Sequence, residues 1–300
     1  MDENEKPSFD PLMKNGSPWP RISVVTPSYN HGRFIEETIR SVVMQGYPNL
    51  EYIVIDGGSN DNTVEIISKY EKNITYWVSE KDQGQSHAIN KGFEKATGQI
   101  LAYLNSDDVY MPYTLRLVAE IFATYGLQWL TGHRSHLVNQ DVLAPLPAAT
   151  TKFNSHLYQK GFHVPWVMGW NQQPSTFWSA DIFNLCGKKF NESMQCSFDI
   201  DLWIRFSKHA DLVYIRSVLA MMRQHAEQKS RTLKLDFKEI EGQSARYGFY
   251  PLWLRKLIKK TMTVPVVRSL VRQWLGKPQF QMIDWDPIKS EWKLISKPVF

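Results

Sequence analysis

Two adjacent carboxylates, Asp107 and Asp108, close the stretch Leu104-Asn105-Ser106-Asp107-Asp108. The stretch follows an apolar run over residues 99–104 that reads as a buried strand. It precedes Pro112, which suits the first turn of a new helix. The pair therefore sits on a short loop where a strand ends, the position at which open α/β sheets bind ligands. Like charges side by side repel unless a positive group lies near them, and a hard divalent cation such as Mg²⁺, which prefers oxygen ligands, suits such a pair. An isolated Asp-Asp is more often a solvated turn with an N-cap. Two further carboxylates follow apolar runs in the same way, Asp56 in Asp56-Gly57-Gly58-Ser59 and Asp82 in Asp82-Gln83-Gly84. One such Asp is commonly a turn former, but several converging on one sheet edge point to a polar ligand.

The elements that must position these loops alternate. Residues 22–26 form a first strand that Pro27 ends, because proline cannot continue a central ladder. A helix follows with Ile35, Ile39, Val42 and Val43 on one face and Gly46 as its stop. Residues 50–55 are a second strand, and the next helix opens within 60–62, where Asn62 and Glu65 fit an N-cap and N3 capping pair. A third strand at 74–78 and a helix carrying Ala88, Gly92, Phe93 and Ala96 lead to the strand before Asp107. Strand–helix alternation with short connections predicts an α/β fold, a mostly parallel sheet covered on both faces. No GxGxxG follows the first strand and no GxxxxGK[ST] occurs, which disfavours a dinucleotide site or a P-loop.

Composition narrows the class. The chain has 300 residues, 43% hydrophobic and 22% charged, as expected of a globular protein with one large domain or two small ones. Two cysteines, Cys186 and Cys196, make neither a disulfide framework nor a metal spacing, and a reducing cytosol fits best. The polar start Met1-Asp2-Glu3-Asn4-Glu5-Lys6 is no signal peptide, and no apolar run has transmembrane length. The net charge of +5 is uneven: between Glu241 and Asp284 lie eight positive and no negative residues, so the remainder carries −3. A fold-wide nucleic-acid surface is therefore not expected.

Taken in order, Val24-Val25-Thr26-Pro27-Ser28-Tyr29-Asn30, Val54-Ile55-Asp56-Gly57-Gly58-Ser59-Asn60-Asp61, Asp82-Gln83-Gly84, Ala96-Thr97-Gly98 and Leu104-Asn105-Ser106-Asp107-Asp108 resemble the family 2 glycosyltransferases. The resemblance covers roughly residues 20–230. It implies an inverting enzyme of GT-A fold, a Rossmann-like α/β/α sandwich, acting on a nucleotide-diphospho-sugar. On that resemblance Pro27 and Tyr29 line the base and ribose pocket, and Tyr29 offers a ring to stack on the base. Asp56 accepts a hydrogen bond from the base, favouring a UDP-sugar, and Asp82 lies near the ribose and sugar. Asn105-Ser106-Asp107 takes the place of the Asp-x-Asp motif. Asn105 is a departure that orients the ribose without adding charge, so a Mg²⁺ or Mn²⁺ ion leans on Asp107, with Asp108 as ligand or support.

The second half is carried by the same resemblance. Residues 172–178 look like an acceptor-side loop, and Asp181 reads as the N-cap of a helix stopping at Gly187. In Phe198-Asp199-Ile200-Asp201-Leu202-Trp203-Ile204-Arg205, helical spacing buries Ile200, Trp203, Ile204 and Ser207, and Asp201 pairs with Arg205. A lone Asp199 there is an ordinary N-cap; the resemblance makes it the general base for the acceptor hydroxyl. His225 resembles a histidine that binds the metal or the diphosphate. Trp166, Trp170 and Trp178 are core fillers or sugar-stacking platforms.

The expected organisation is a flexible arm at 1–20, a nucleotide-sugar half at 21–125, an acceptor and base half at 126–235, and a basic amphipathic segment at 236–300. In that segment Leu254, Leu257, Ile258 and Met262 follow helical spacing, with Arg255, Lys256, Lys259 and Lys260 between them. Trp and Leu against Lys and Arg suit an anionic membrane surface, at the inner face of the plasma membrane, and a glycan or lipid-linked acceptor. The alternative is an amphipathic helix pair packed on the domain. Two other functions compete: a non-catalytic relative that binds nucleotide sugar or a partner, and a sugar-1-phosphate nucleotidyltransferase. The loop Pro27-Ser28-Tyr29-Asn30-His31-Gly32 lacks the Gly-rich, basic character of the latter.

Overall fold

The computed structural model describes residues 9–299 apart from 134, 139–141, 146–152, 165–166, 170, 227, 229–235, 262–264 and 277. Strands β1 (Ile22–Ser28), β2 (Leu50–Asp56), β3 (Tyr76–Ser79) and β4 (Ile100–Tyr103) pair in parallel in the order β4-β1-β2-β3. Helices α1 (Ile35–Val43), α2 (Thr63–Lys69) and α3 (Gln85–Lys95) connect them. α3 lies so close to β1 that a β-carbon at Gly92 would stand 2.3 Å from Val25 Cγ1, which excludes any side chain there. β5 (Val109–Tyr110) and α4 (Thr114–Tyr125) complete the first half.

The second half extends the same sheet. It contains β6 (Trp129–Thr131), β7 (Ser135–Val138), β8 (Val142–Pro145), α5 (Ser155–Gln159), β9 (Thr176–Ser179), α6 (Ala180–Leu185), α7 (Phe198–Phe206), β10 (Val213–Ile215) and β11 (Ala220–Gln224). After these come α8 (Asp236–Tyr247), α9 (Leu252–Thr261), α10 (Pro265–Trp274), β12 (Gln279–Asp286) and β13 (Glu291–Pro298). The nine-stranded sheet runs β13-β12-β10-β6-β9-β4-β1-β2-β3, with β9 antiparallel to both its neighbours. A smaller sheet, β5-β11-β7-β8, folds over one end.

Successive strand residues face opposite layers, so both faces of the sheet are buried. Val25, Ile53 and Ile55 pack with Phe93 and the fully buried Trp129, Trp178 and Trp203. Val24, Tyr52 and Val54 pack with Ile39, Val118 and Phe122 on the other face. The motif Ala96-Thr97-Gly98 has a structural cause: Glu51 on β2 accepts from Thr97 N–H at 2.7 Å, Thr97 Oγ1 at 2.8 Å and Ser23 Oγ at 2.5 Å.

Several expectations are corrected. β1 runs through Pro27 to Ser28, because its β4 side ends at Val25 and the missing N–H of Pro27 meets no neighbour strand. Asn62 makes no side-chain cap; instead the Asp61 carboxylate accepts from Gly32 and Thr63. Ser179, not Asp181, caps α6, accepting from Ile182 N–H at 3.2 Å. The described part of the N-terminal arm is packed, with Trp19 buried against Phe9 and Tyr47. The C-terminal segment is not helical throughout: β12 and β13 form a hairpin, and β12 joins the central sheet beside β10. α9 turns Arg255 and Ile258 inward, Arg255 donating to Glu241 at 2.9 Å, Tyr250 O at 2.7 Å and Gly161 O at 2.6 Å. Leu257 and Trp253 face outward instead, 49% and 67% exposed. Among the described residues no helix is long and apolar enough to cross a membrane.

Candidate functional site

A cleft of about 700 Å³ opens beyond the carboxyl ends of β1, β2 and β4 and reaches α7. Pro27, Tyr29, Asp82, Asn105, Asp107, Asp108 and His225 line it together with Asp199. Eight of the nine expected site residues thus meet in one cavity. The ninth, Asp56, does not line it. Asp56 is fully buried at the end of β2, where it accepts from Gly58 N–H at 3.1 Å, Ser59 N–H at 2.9 Å, Ser59 Oγ at 2.5 Å and Ser79 Oγ at 2.6 Å. A carboxylate so satisfied by its own loop holds the turn rather than reading a base.

The loop after β4 divides the labour of its polar residues. Asp107 faces His225, with Nε2 2.9 Å from Asp107 Oδ2. Asp108 is 1% exposed and accepts from Arg223 N–H at 3.0 Å and Asn105 Nδ2 at 3.2 Å. Burial and the neighbouring Asp107 charge push the Asp108 carboxyl well above the usual carboxylate range, against the opposing pull of Arg223 and Asn105. Arg223 also donates through Nε to Asp107 O at 2.9 Å and pairs with Glu37. Asn105 is tied at both ends, accepting from Gln85 Nε2 at 2.7 Å and donating to Asp108 and to Gln173 Oε1, the latter at 3.3 Å. The departure from Asp at this position now has a reason: the buried Asp108 needs a donor beside it, and an Asp at 105 would supply a third carboxylate.

Across the cleft, Asp199 lies in the first turn of α7, half-buried, with Oδ1 2.8 Å from Ile200 N–H. Ile200, Trp203, Ile204 and Ser207 are buried and Asp201 pairs with Arg205 at 2.9 Å, as the spacing predicts. Two anchors escaped the sequence reading because they come from α8. Glu239 accepts from the N–H groups of Gln195, Cys196 and Ser197 at 2.7, 2.9 and 2.9 Å, fixing the segment that leads into α7. Burial pushes the Glu239 carboxyl up, and these hydrogen bonds outweigh it, so it lies below the ordinary value. Tyr247 donates to Asp201 at 2.6 Å. His31 Nδ1, 2.7 Å from Ser106 Oγ, was likewise unforeseen; its only signal was its place in the loop after β1. Trp178 is a core residue, packed edge-on against Trp203 at 5.5 Å, so it offers no sugar platform. Trp166 and Trp170 lie outside the described residues.

For a divalent cation, Asp107 and His225 converge, while among the described residues no group of three or more His, Cys, Asp or Glu does. Two protein donors fit a cation whose remaining ligands are diphosphate oxygens and water.

Residues 23–154 match the family model described as glycosyl transferase family 2. The putative teichuronic acid biosynthesis glycosyltransferase TuaG of Bacillus subtilis (strain 168) is 42% identical over 92 residues, 30% of this chain and 36% of TuaG. The chain spans about a third of the length of the first curated relatives it matches, 36%, 35% and 36%. Crystalline S. aureus TarS 1-349 in complex with UDP-GlcNAc superposes with a TM-score of 0.62 at 15% identity, covering 85% of this chain and 78% of that one. The mannosyltransferase PcManGT from Pyrobaculum calidifontis, in complex with GDP-Man and Mn²⁺, gives 0.59 at 16% identity over 91% and 80%. The fold is that of these transferases, and residues 23–154, which carry most of the motifs gathered around the cleft, are similar to glycosyl transferase family 2.

Proposed function

We propose that the chain is an inverting glycosyltransferase that moves a sugar from a nucleotide-diphospho-sugar, a UDP-sugar by preference, to a hydroxyl acceptor. The observation that carries this reading is the placement of Asp107 with His225 and of Asp199 in the same cleft. The first two suit a diphosphate and its cation; the third suits a general base. In a single displacement the acceptor oxygen bonds to the anomeric carbon as the bond from that carbon to the phosphate oxygen breaks. The bonding pair leaves with the nucleoside diphosphate, and the hydroxyl proton passes to Asp199. Asp107 and His225 would hold Mg²⁺ or Mn²⁺, which when bound neutralises charge on the departing diphosphate. PcManGT, a neighbour in fold, is described with Mn²⁺, and TarS with UDP-GlcNAc. Asp108 and Asn105 support this wall: both Asp108 oxygens already have protein donors.

The name of TuaG suggests a surface polysaccharide as the product class. For a lipid-linked acceptor, support comes from Trp253, Val266, Leu270 and Trp274, 67%, 71%, 62% and 56% exposed, beside the exposed Lys256 and Lys259. Such a surface suits an anionic bilayer. Trp253→Ser with Lys256→Glu and Lys259→Glu then weakens binding to phosphatidylserine vesicles at low salt; undiminished binding would exclude this face.

The enzyme reading is tested by nucleoside diphosphate release from UDP-, dTDP- and GDP-sugars with Mn²⁺ or Mg²⁺, beside Asp107→Asn and Asp199→Asn. Metal-dependent turnover of one donor, lost in both variants, is expected. If calorimetry finds no nucleotide bound under any condition, the non-catalytic alternative replaces it.

A further inference from the structure

Asp56 is sealed within its own turn, and a different carboxylate, Asp82, faces the cleft beside that turn. A β-carbon built on Gly57 would be 2.7 Å from Asp82 Oδ2 and 3.1 Å from Asp82 Cγ. The Asp82 carboxyl therefore fills the room that a side chain at 57 would take. Its Oδ1 accepts from Gly84 N–H at 2.7 Å, which turns the group over Gly57. Ser28, Tyr29, Gly57, Gly58 and Asp82 line the cleft at this end. The Ser28 hydroxyl is buried and, among the described residues, has no hydrogen-bond partner. Tyr29 is 59% exposed at the mouth.

We infer that Asp82, seated over Gly57, is the carboxylate that reads the nucleotide base, accepting the ring N–H of a uracil-type base while Ser28 donates to an adjacent carbonyl. The inference deepens the donor reading above and rests on it. A carboxylate only accepts. Uracil N3 carries a hydrogen and lies between two carbonyls, so it matches an acceptor beside a hydroxyl donor. Cytosine N3 is a bare lone pair that would face the carboxylate oxygen. The exposed Tyr29 ring offers a face for the same base, since stacking tolerates any base and leaves the choice to the edge contact. Gly57 matters because it leaves the carboxyl in place; its φ is not in the left-handed region, so the backbone itself accepts alanine.

The test is calorimetric binding, with Mn²⁺ present, of UDP, N3-methyl-UDP and CDP to the full chain. Wild type should favour UDP over both others by about 10- to 100-fold, the range for a hydrogen bond to a charged group. Asp82→Asn should cut the UDP preference to within about 3-fold, since its amide can donate to cytosine N3 as well as accept. Gly57→Ala should do the same with every carboxylate still present, because the new methyl displaces Asp82, and its melting temperature should match wild type. Wild type that binds CDP as tightly as UDP, or an Asp82→Asn protein with the preference intact, overturns the assignment while leaving the donor reading standing. A wild type that binds no nucleotide fails the donor reading itself, and this inference with it.

Discussion

Arg255 offers the sharpest test of how the C-terminal segment belongs to the fold. Its side chain is fully buried and pairs with Glu241, whose side chain is 24% exposed. It also satisfies the carbonyls of Tyr250 and Gly161, at 2.7 and 2.6 Å. Arg255→Ala removes all three interactions at once. Breaking a buried pair by removing one partner costs about 3–5 kcal/mol. Glu241 still reaches water, which favours the lower part of that range, while two stranded carbonyls add roughly 1 kcal/mol each, the low end for unsatisfied groups. About 5 kcal/mol is therefore expected. With an unfolding entropy of roughly 2.1 cal/mol/K per residue, a chain of this length loses about 8 °C in melting temperature. Reversible thermal unfolding followed by circular dichroism reads this directly, with the exposed Lys256→Ala as a control that moves by less than about 1 °C. A fall under about 2 °C for Arg255→Ala would refute the reasoning and restore a detachable tail. The same logic argues against simple deletion of residues 250–300, because that cut removes β12, with its buried Phe280, Met282 and Ile283, from the sheet.

Three further outcomes follow from single groups. Asn105→Asp replaces the donor to buried Asp108 with a like charge; it should destabilise the protein by about 1–3 kcal/mol in urea titration, and a neutral effect would show that Asp108 does not depend on that amide. Burial holds the His163 imidazole down at about 3. The unfolded chain takes up that proton near 6.5 and the folded chain does not, so stability is level above that pH and falls below it. Between pH 7.5 and 5.5 wild type should lose about 1.4 kcal/mol more than His163→Gln, and parallel curves would contradict this. Glu239→Gln loosens the segment before Asp199 without touching the cleft's donor wall; turnover should fall about 10-fold with donor Kd unchanged, reflecting the sensitivity of general-base catalysis to placement, and an unaltered rate would make Glu239 a purely structural contact.

The first half of the fold was legible because its signals are local. Continuous apolar runs in β1 and β2, helical spacing in α1 and α3, and loop motifs at strand ends all depend on residues close in sequence. What was not legible depends on distant partners. Asp56 looks the same in sequence whether it faces a ligand or Ser79, and only the register of β2 against β3, which places Ser79 opposite Asp56, decides. Arg255 reads as one more surface cation until Gly161 and Glu241 are seen around it. The hairpin did leave a trace: Phe280 and Met282 alternate with Gln279 and Gln281, a strand pattern overshadowed by the basic helices before it. Asn105 was read as a loss of charge because its donor role appears only with Asp108 buried beside it.

The order of strands in the sheet also dictates an order of folding. β1 to β4 are neighbours in sequence and in space, so this half can form as soon as roughly the first hundred residues are available, through short loop closures. β6 does not pair with β4; β9, made about 45 residues later in the chain, slots between them with Trp178 paired to both Trp129 and Leu101. β10 then waits for β12, more than 60 residues further on, to cover its other edge. During synthesis the β1–β4 sheet can therefore pair early, while the edge of β10 stays open until β12 emerges. That interval is the one in which the nascent chain is most exposed to wrong pairing and to proteolysis.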